Sequence, residues 1–392
     1  MLQHLFTLIW NKKKQNALLI SEILLSFLVM FAVFSSLVYY YRNYKKPMGM
    51  DFENVWVVNF SNPLQTHNAD SLAQFYEMLR GTLKSMPLVQ EASFSSDNVP
   101  LSSNTSQGGI TFKGKEIRSV NWYTVSDSYA ATLNMQLLEG RWFTKADAVA
   151  KNAPVVINRS LKEKLFGAGP AVGRSTGDGP GDRKIIGVVE DVKVKGDYAV
   201  AGLGMYNQID TGYYQSLGRM LIKVAPEADA TFEGHLYKTL AGYMKTSNIE
   251  IEHLTNKRKN INYFTLVPMI VLLIVACFLI INVALGLFGV LWYNINKRRG
   301  EIGLRRAVGA TGNAVSAQLV SESLIIATLS LIIGVFFAVQ FPLLNVFDLP
   351  AGVYISGIIL SLLFIYGLVL ICSLYPGKQA AAIYPAVALH ED

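Results

Sequence analysis

The residue types that most often carry catalysis or bind metals are scattered along this chain. Its five histidines occur in none of the zinc-binding spacings, such as His-Glu-x-x-His, and none is near a cysteine. The sequence also lacks a Gly-x-Ser-x-Gly motif, which would expose a nucleophilic serine on a sharp turn. The histidines are His4, His67, His235, His253 and His390. We therefore expect a non-catalytic chain with no metal and no cofactor of its own.

Two carboxylates lie inside or at the edge of long apolar stretches, at Glu22 and Glu322. Ionisable side chains in a membrane are functional candidates by default, because burying a charge in hydrocarbon is costly. By the topology given below, both would lie near the inner surface of the membrane. There they can pair with Lys12–Lys14 or with Arg305 and Arg306. We expect an interfacial ion pair or a hydrogen bond between helices, and no catalytic role.

A glycine-rich stretch over residues 167–181 could suggest a phosphate-binding loop. A P-loop requires Gly-x-x-x-x-Gly-Lys followed by Ser or Thr. Here Arg174 occupies the lysine position, and Ala168 occupies the position of the first glycine. The stretch is therefore predicted to be a surface loop, and ATP is not expected to bind this chain.

The most informative segment is KRRGEIGLRRAVGA, residues 297–310. Glu301 and Arg305 form an (i, i+4) pair in the favourable order. Leu304, Ala307 and Val308 make a small apolar patch, and we expect the glycines at 300, 303, 309 and 312 to break the helix. A general excess of basic residues in inner loops explains the arginines but not the rest of the pattern. The segment predicts a short helix with a basic face that docks onto another protein.

Long apolar blocks account for the composition. The 392 residues are 51% hydrophobic and only 16% charged, with a mean hydropathy of +0.31. Each block has about 20 or more residues, enough to cross a ~30 Å hydrocarbon layer as a helix. The predicted spans are 17–41, 263–292, 323–344 and 353–375. We expect a membrane α-helical protein with four transmembrane helices and an inserted, extracytoplasmic, mixed α/β domain.

Basic residues set the predicted orientation. The net charge is +7, and many Lys and Arg residues flank apolar blocks, which favours contact with the lipid bilayer over binding of nucleic acid. Lys12–Lys14, the 297–306 loop and Lys378 all indicate an inner location for both termini. The basic residues at 42–46 and 257–259 oppose this, but both groups adjoin a long domain, and long domains translocate largely regardless of charge. We predict a multi-pass protein of the plasma (inner) membrane.

The predicted organisation has eight parts. Leu2–Trp10 has one apolar face and suggests an interfacial helix, although a frayed terminus explains the segment nearly as well. Alternating strands and two amphipathic helices, 69–85 and 231–245, indicate a mixed α/β fold between the first two spans. The predicted parts are an interfacial helix (1–16), span 1 (17–41), the soluble domain (42–262), span 2 with its stalk (263–292), a coupling loop (293–322), span 3 (323–344), span 4 (353–375) and a cytoplasmic tail (376–392).

The segment from 297 to 334 resembles the signature of the MacB/FtsX-type ABC transporter permeases. In that family a basic run of the type Arg-Arg-Glu-Ile-Gly-Leu-Arg-Arg-Ala-Val-Gly-Ala follows the second span, and the next helix has a glutamate, here Glu322, and a glycine, here Gly334. Gly300 departs from the pattern. The stretches SDSYAATLNMQLLEGRWF, PVVINRSLKEKLFG, VGRS and KIIGVVEDVK resemble the MacB-like periplasmic core domain.

The resemblance implies a permease that works with a separate ABC ATPase, which binds the ATP, and with a second permease copy or a homologous permease. It also implies mechanotransmission: nucleotide-driven closure moves the extracytoplasmic domain to export or extract a hydrophobic compound, peptide or lipoprotein, or to confer resistance to it. The residues implied in ATPase coupling are Arg298, Arg299, Glu301, Ile302, Gly303, Leu304, Arg305, Arg306, Ala307, Gly309 and Ala310.

Two alternatives stay open. The chain could be an FtsX-like regulator that activates a cell-wall hydrolase without moving a substrate. It could also be a membrane receptor that works without an ATPase, although a receptor needs no organised loop at 297–310.

Overall fold

The computed structural model describes residues 13–382, except for 62, 63, 65, 97, 104, 150–153, 178–181, 211 and 246. The interfacial helix predicted within residues 1–16 and most of the tail lie outside the described residues. The described chain forms two compact units. One unit contains residues up to 42 and from 266 onward, and the other contains residues 43–265.

The helices, in chain order, are α1 (Lys13–Tyr44), α2 (Ala69–Lys84), α3 (Tyr129–Thr132), α4 (Arg159–Phe166), α5 (Ala230–Tyr243), α6 (Leu254–Lys297), α7 (Arg299–Ala307), α8 (Gly312–Leu343) and α9 (Ala351–Ala381). Short 3-10 helices cover Lys145–Val149, Tyr213–Ser216 and Val346–Asp348. By length and composition, α1, α6, α8 and α9 can each cross a bilayer. The prediction of four apolar helices and a mixed α/β domain is therefore confirmed.

Close contacts between helices at small residues stabilise the unit that contains residues up to 42 and from 266 onward. In a bilayer the helices gain little from burying apolar surface against each other, so their packing depends on close approach. At Gly334 and Gly357 a Cβ atom would lie 2.5 Å from the Phe27 ring and 2.1 Å from Ser35 Oγ. α1 therefore packs directly against the backbones of α8 and α9. The core of this unit is formed by side chains of all four long helices, including Phe27, Val283, Ile326 and Ile365.

The unit of residues 43–265 is built on one sheet of ten strands within the described residues. Its strand order is β10-β1-β9-β2-β4-β8-β6-β7-β5, with β3 paired to β4. The pairs β4–β8 and β6–β7 are parallel, and the others are antiparallel. The strands are β1 (Val55–Asn59), β2 (Val89–Ser95), β3 (Gln107–Phe112), β4 (Lys115–Val125), β5 (Leu137–Gly140), β6 (Val155–Asn158), β7 (Ile185–Val189), β8 (Leu203–Gln208), β9 (Arg219–Val224) and β10 (Glu250–His253).

Amphipathic helices cover this sheet with the faces that their periodicity predicts. α2 begins at the cap Asn68, whose side chain accepts a hydrogen bond from the backbone N–H of Ser71 at 2.9 Å. It buries Leu72, Tyr76 and Leu79 in a core that also receives Leu240 of α5. A second core contains side chains of α4 together with β6, β7 and β8.

In the unit of residues 43–265, called the soluble unit below, an ion pair between Asp147 and Arg141 contributes stability that depends on pH. Arg141 donates two hydrogen bonds to the Asp147 carboxylate, at 2.6 and 2.8 Å, and so holds the pKa of Asp147 well below its usual range; burial opposes this shift. The backbone N–H and the hydroxyl of Thr144 also donate to Asp147, each at 2.8 Å. Since the pKa is lowered by folding, the stabilisation is present above the unfolded value of about 4 and is lost as the pH falls.

We expect Asp147→Asn to destabilise the soluble unit by about 1–3 kcal/mol at neutral pH, because the Arg141 donors lose their charged acceptor. The difference from the wild type should shrink as the pH is lowered towards 3. Thermal unfolding of the full chain at several pH values measures both effects. Asp182→Asn, at an exposed position, is the matched control. A difference that stays constant with pH contradicts the assignment.

Candidate functional site

The segment between α6 and α8 forms a compact hairpin around the short helix α7. Ile302 turns inward and packs with Ile295, Val315, Leu319 and Ala380 in a small apolar core. Gly309 has a φ of +105°, which ends the helix and which glycine adopts without a Cβ clash. Thr311 then caps α8 by accepting the N–H of Ala314 at 3.3 Å.

The predicted glycine breaks are only partly correct. Gly309 lies just beyond α7, as expected, but Gly300 and Gly303 lie inside the helix. Gly303 is buried, as is its neighbour Ile302. Gly312 is the first residue of α8, where a Cβ would lie 3.0 Å from the carbonyl oxygen of Ala381. Gly312 therefore permits close packing, whereas Gly309 acts through its backbone conformation, and a Cβ at Gly300 would meet no atom within 4 Å.

Polar contacts fix the orientation of α7. Arg305 donates to Glu301 at 2.6 Å, the predicted (i, i+4) pair, and to Gln318 of α8 at 2.9 Å. Arg306 donates to the carbonyl oxygen of Ala381, at the end of α9. Both arginines are therefore held by contacts within the chain.

Of the two membrane carboxylates, Glu322 forms an ion pair, as expected, but its partner is not one of the arginines named in the prediction. Glu322 pairs with Arg298, at 3.2 and 3.3 Å, and accepts a hydrogen bond from Gln318 at 3.2 Å. The predicted pairing of Glu322 with Arg305 and Arg306 is wrong, because those two side chains point to Glu301, Gln318 and Ala381. Glu22 lies against α6 at Gly286, where a Cβ would be 2.5 Å from its Oε2.

The other side of α7 is an exposed apolar face. Leu304 is 56% exposed and Val308 is 82% exposed, and Ala307 between them is exposed too. The two large side chains are four residues apart and thus lie on one face. Of the remaining predicted coupling residues, Arg299 is the first residue of α7 and Ala310 lies three residues beyond its end. The hairpin thus presents an ordered apolar patch on a helix whose opposite side is fixed by contacts.

A second group of polar residues, which we call the junction, lies in the soluble unit and comprises Asn43, Lys46, Lys193, Asp197, Arg258 and Asn262. Lys193 is only 2% exposed. Its ammonium donates to the backbone oxygens of Asn43, of Lys46 at 2.6 Å and of Asp197 at 3.1 Å. Burial lowers the pKa of Lys193, and the nearby Asp197 carboxylate opposes that shift. One buried charge therefore fixes the C-terminal end of α1 and the residues that follow it to the loop at 193–197.

Asp197 fixes the same loop to the start of α6. Arg258 donates to both of its carboxylate oxygens, at 2.9 and 2.8 Å, and Asn262 donates to it at 2.7 Å. Such a bidentate pair constrains geometry as well as charge. Gly196 is required here, because its φ is +92° and a Cβ would lie 2.5 Å from Asn262 Oδ1. The junction thus connects the two segments through which the chain enters and leaves the soluble unit.

Sequence reasoning did not identify the junction. Its residues come from three parts of the chain, and the first and last of them are more than 200 positions apart, so no local pattern relates them. The available signal was Lys193 within the alternating stretch DVKVKGD, where a lysine lies between two valines, followed by Gly196 and Asp197.

Two family models match this chain. The model described as MacB-like periplasmic core domain matches residues 21–233, more than half of the chain. The model described as FtsX-like permease C-terminal matches residues 259–385, which include α7.

Individual relatives are distant. A macrolide export ATP-binding/permease protein, MacB 1/2 of Paracoccus denitrificans, is 28% identical over 56% of this chain and 34% of its own length. An uncharacterized ABC transporter permease of Bacillus subtilis, YvrN, is 21% identical over 73% of this chain and 74% of its own length. The solved periplasmic region of MacB from Actinobacillus actinomycetemcomitans is 18% identical, with a TM-score of 0.39, over 56% of this chain and 98% of that one. The chain covers between a third and a half of the MacB relatives that it matches.

We expect Lys193→Met to lower the free energy of unfolding by about 3–5 kcal/mol, because three carbonyl groups lose their charged donor and Asp197 keeps only Arg258 as a cationic neighbour. Thermal unfolding of the full chain checks this value. Lys184→Met, the same substitution at an exposed lysine, should change stability little. Equal stability of the two variants would mean that the ammonium contributes nothing to the junction.

Proposed function

Because the chain belongs to the family of permeases with a MacB-like periplasmic core domain, we propose that it is the transmembrane subunit of an ABC transporter whose ATPase is a partner chain. In this proposal the protein lies in the inner membrane with both termini and α7 on the cytoplasmic side, and residues 43–265 lie outside. The chain itself carries out no catalysis.

The observation that carries the proposal is the exposed apolar face of α7. Leu304 and Val308 are both exposed on one face of α7. The helix is fixed to the rest of the chain by the packing of Ile302 and by the hydrogen bonds of Arg305 and Arg306. An exposed apolar patch that is surrounded by basic side chains marks a site of protein–protein interaction. The ATPase is the partner that this permease family implies, and α7 is the element that it would bind.

The junction supports mechanotransmission as the mode of action. α6 is a single helix of 44 residues, about 66 Å long at 1.5 Å per residue, with Pro268 in its interior. It ends one residue before α7, and near its beginning Arg258 and Asn262 are held by Asp197. We propose that movement of α7 is passed along α6 to the junction and from there to the soluble unit.

Two permease copies, or this chain and a homologue, would form the complete transporter. The substrate is proposed to be a hydrophobic compound, peptide or lipoprotein, which the soluble unit would expel by its own movement. The apolar composition of the spans favours this over a polar path through the membrane.

We expect Leu304→Asp combined with Val308→Asp to lower the ATPase activity that co-purifies with the tagged chain by about tenfold or more, the effect of losing one strong anchor. Arg305→Glu with Arg306→Glu is a less specific test, because both arginines also hold α7 in place. The matched control is Val172→Asp with Val200→Asp, two exposed valines in the soluble unit.

Two outcomes contradict the docking proposal. One is normal recovery of ATPase activity with the Leu304/Val308 variant. The other is a reporter fused at residue 303 whose activity shows that this residue lies on the outer side of the membrane, where no ATPase could bind α7.

We expect Asp197→Asn to preserve ATP hydrolysis by the partner but to prevent the movement of the soluble unit. The substitution weakens the bidentate pair with Arg258 and leaves α7 unchanged. In the complex with its ATPase, the wild type should show ATP-dependent changes in amide hydrogen exchange within residues 43–265. The variant should keep its ATPase and its hydrolysis but lose those changes. Asp70→Asn, at an exposed position in α2, is the control. A wild type with no ATP-dependent change in that unit rules out mechanotransmission.

A further inference from the structure

An apolar cavity of about 460 Å³ lies between α1, α8, α9 and the loop that joins α8 to α9. This volume falls within the ~300–1,000 Å³ of small-molecule sites. Its wall is mainly hydrocarbon and aromatic surface, from Leu28, Phe31, Phe337, Phe341, Leu349 and Tyr354. Phe31 and Tyr354 are buried, whereas Phe337 is 49% exposed, so the cavity is not sealed.

The cavity is located at one end of the helical unit. On α1 its lining runs from residue 28 to residue 36, about 12 Å along the helix axis. Tyr39, Tyr40 and Tyr41 follow directly, and tyrosines prefer the membrane–water interface. The cavity therefore lies in the hydrocarbon layer just below an interface.

Water is a poor occupant for this space. A buried water molecule needs two to four polar partners. Ser35, one of the few polar residues in the wall, has its hydroxyl buried against the backbone of Gly357, where a Cβ would lie 2.1 Å away. An apolar cavity that opens among membrane-spanning helices is instead suited to a hydrocarbon chain.

A cationic side chain lies at the same end of the unit. Arg42 follows Ser35 by seven residues, so both lie on one face of α1. Its guanidinium is 3.4 Å from the Cβ position of Gly352, at the start of α9 and two residues before Tyr354. Guanidinium groups recognise phosphate well. A cation above an apolar cavity matches the two parts of a phospholipid.

The loop at the rim has a strained backbone. Asn345, Phe347 and Asp348 have φ values of 49°, 63° and 50°, in the left-handed region. Asn and Asp enter this region more readily than other non-glycine residues, so the strain lies at Phe347. Hydrogen bonds from Asn345 to Asp348, at 2.7 Å, and from Tyr354 to the carbonyl of Val346 hold this loop. Strain of this kind clusters at ligand clamps, and Phe347 lines the cavity while remaining 76% exposed.

We propose that this cavity binds one phospholipid of the bilayer. One acyl chain occupies the space between Phe31, Phe337 and Tyr354, the phosphate group lies on Arg42, and Phe347 closes the rim. The site requires no ATPase, so its test is independent of the proposed coupling between α7 and the ATPase.

Photocrosslinking of the full chain in phosphatidylcholine vesicles tests the proposal. The probe is a phosphatidylethanolamine with a diazirine near the end of one acyl chain, and adducts are mapped by mass spectrometry. We expect adducts on Phe31 and Tyr354, which a chain can reach only from inside the cavity. Adducts confined to outward residues such as Phe336, which is exposed, would overturn the proposal.

Two variants sharpen the test. Ala32→Phe fills the cavity and should abolish the adducts on Phe31 and Tyr354, whereas Ala17→Phe, the same change at an exposed position of α1, should preserve them. The wild-type map remains decisive if Ala32→Phe fails to fold. Arg42→Gln should reduce labelling by the phospholipid but not by a diacylglycerol with the same diazirine chain.

Further outcomes overturn the assignment. Equal loss with the phospholipid and the diacylglycerol, or no loss with either, contradicts the role of Arg42 as the phosphate partner. Displacement of the phospholipid label by a small amount of added acyl-peptide would instead make an exported amphiphile the occupant.

Discussion

Hydrocarbon offers no hydrogen-bond partner to a peptide group, and the architecture of this chain follows from that constraint. Each of the four apolar segments satisfies its backbone internally as one long helix. Because lipid solvates apolar side chains as well as protein does, the helices gain contact mainly where small residues let them approach. Gly334 and Gly357 provide such positions against α1. Polar groups are concentrated where the helices end, at the α7 hairpin and at the junction.

These two places use different chemistry for different tasks. At the hairpin, polar contacts among partly exposed side chains orient α7 and leave Leu304 and Val308 exposed. At the junction, an almost fully buried ammonium and a bidentate carboxylate–guanidinium pair fix backbone segments. Removing one partner of a buried charge pair is costly, because the other charge stays buried without compensation. The proposed transmission of motion requires such fixed geometry where α6 meets the soluble unit.

Sequence periodicity predicted the parts of the fold that depend on local pattern. The four apolar helices, α2, α5 and β1 follow directly from it. The strands β5, β6, β8 and β9 were not predicted. β6, for example, is buried at all four of its positions, so it shows no alternation of apolar and polar residues. The pairing of Glu322 with Arg298 was missed because the direction in which Arg305 and Arg306 point depends on tertiary contacts with Gln318 and Ala381. The junction was missed for the same reason, since its members meet only in the folded chain.

The Lys193 ammonium bonds to main-chain oxygens, which every amino acid provides. The side chains at positions 43 and 46 can therefore change during evolution without removing its acceptors. The lysine should then persist among homologues with no covarying partner at position 46, so methods that infer contacts from correlated substitutions would overlook one of the most buried polar contacts in the protein.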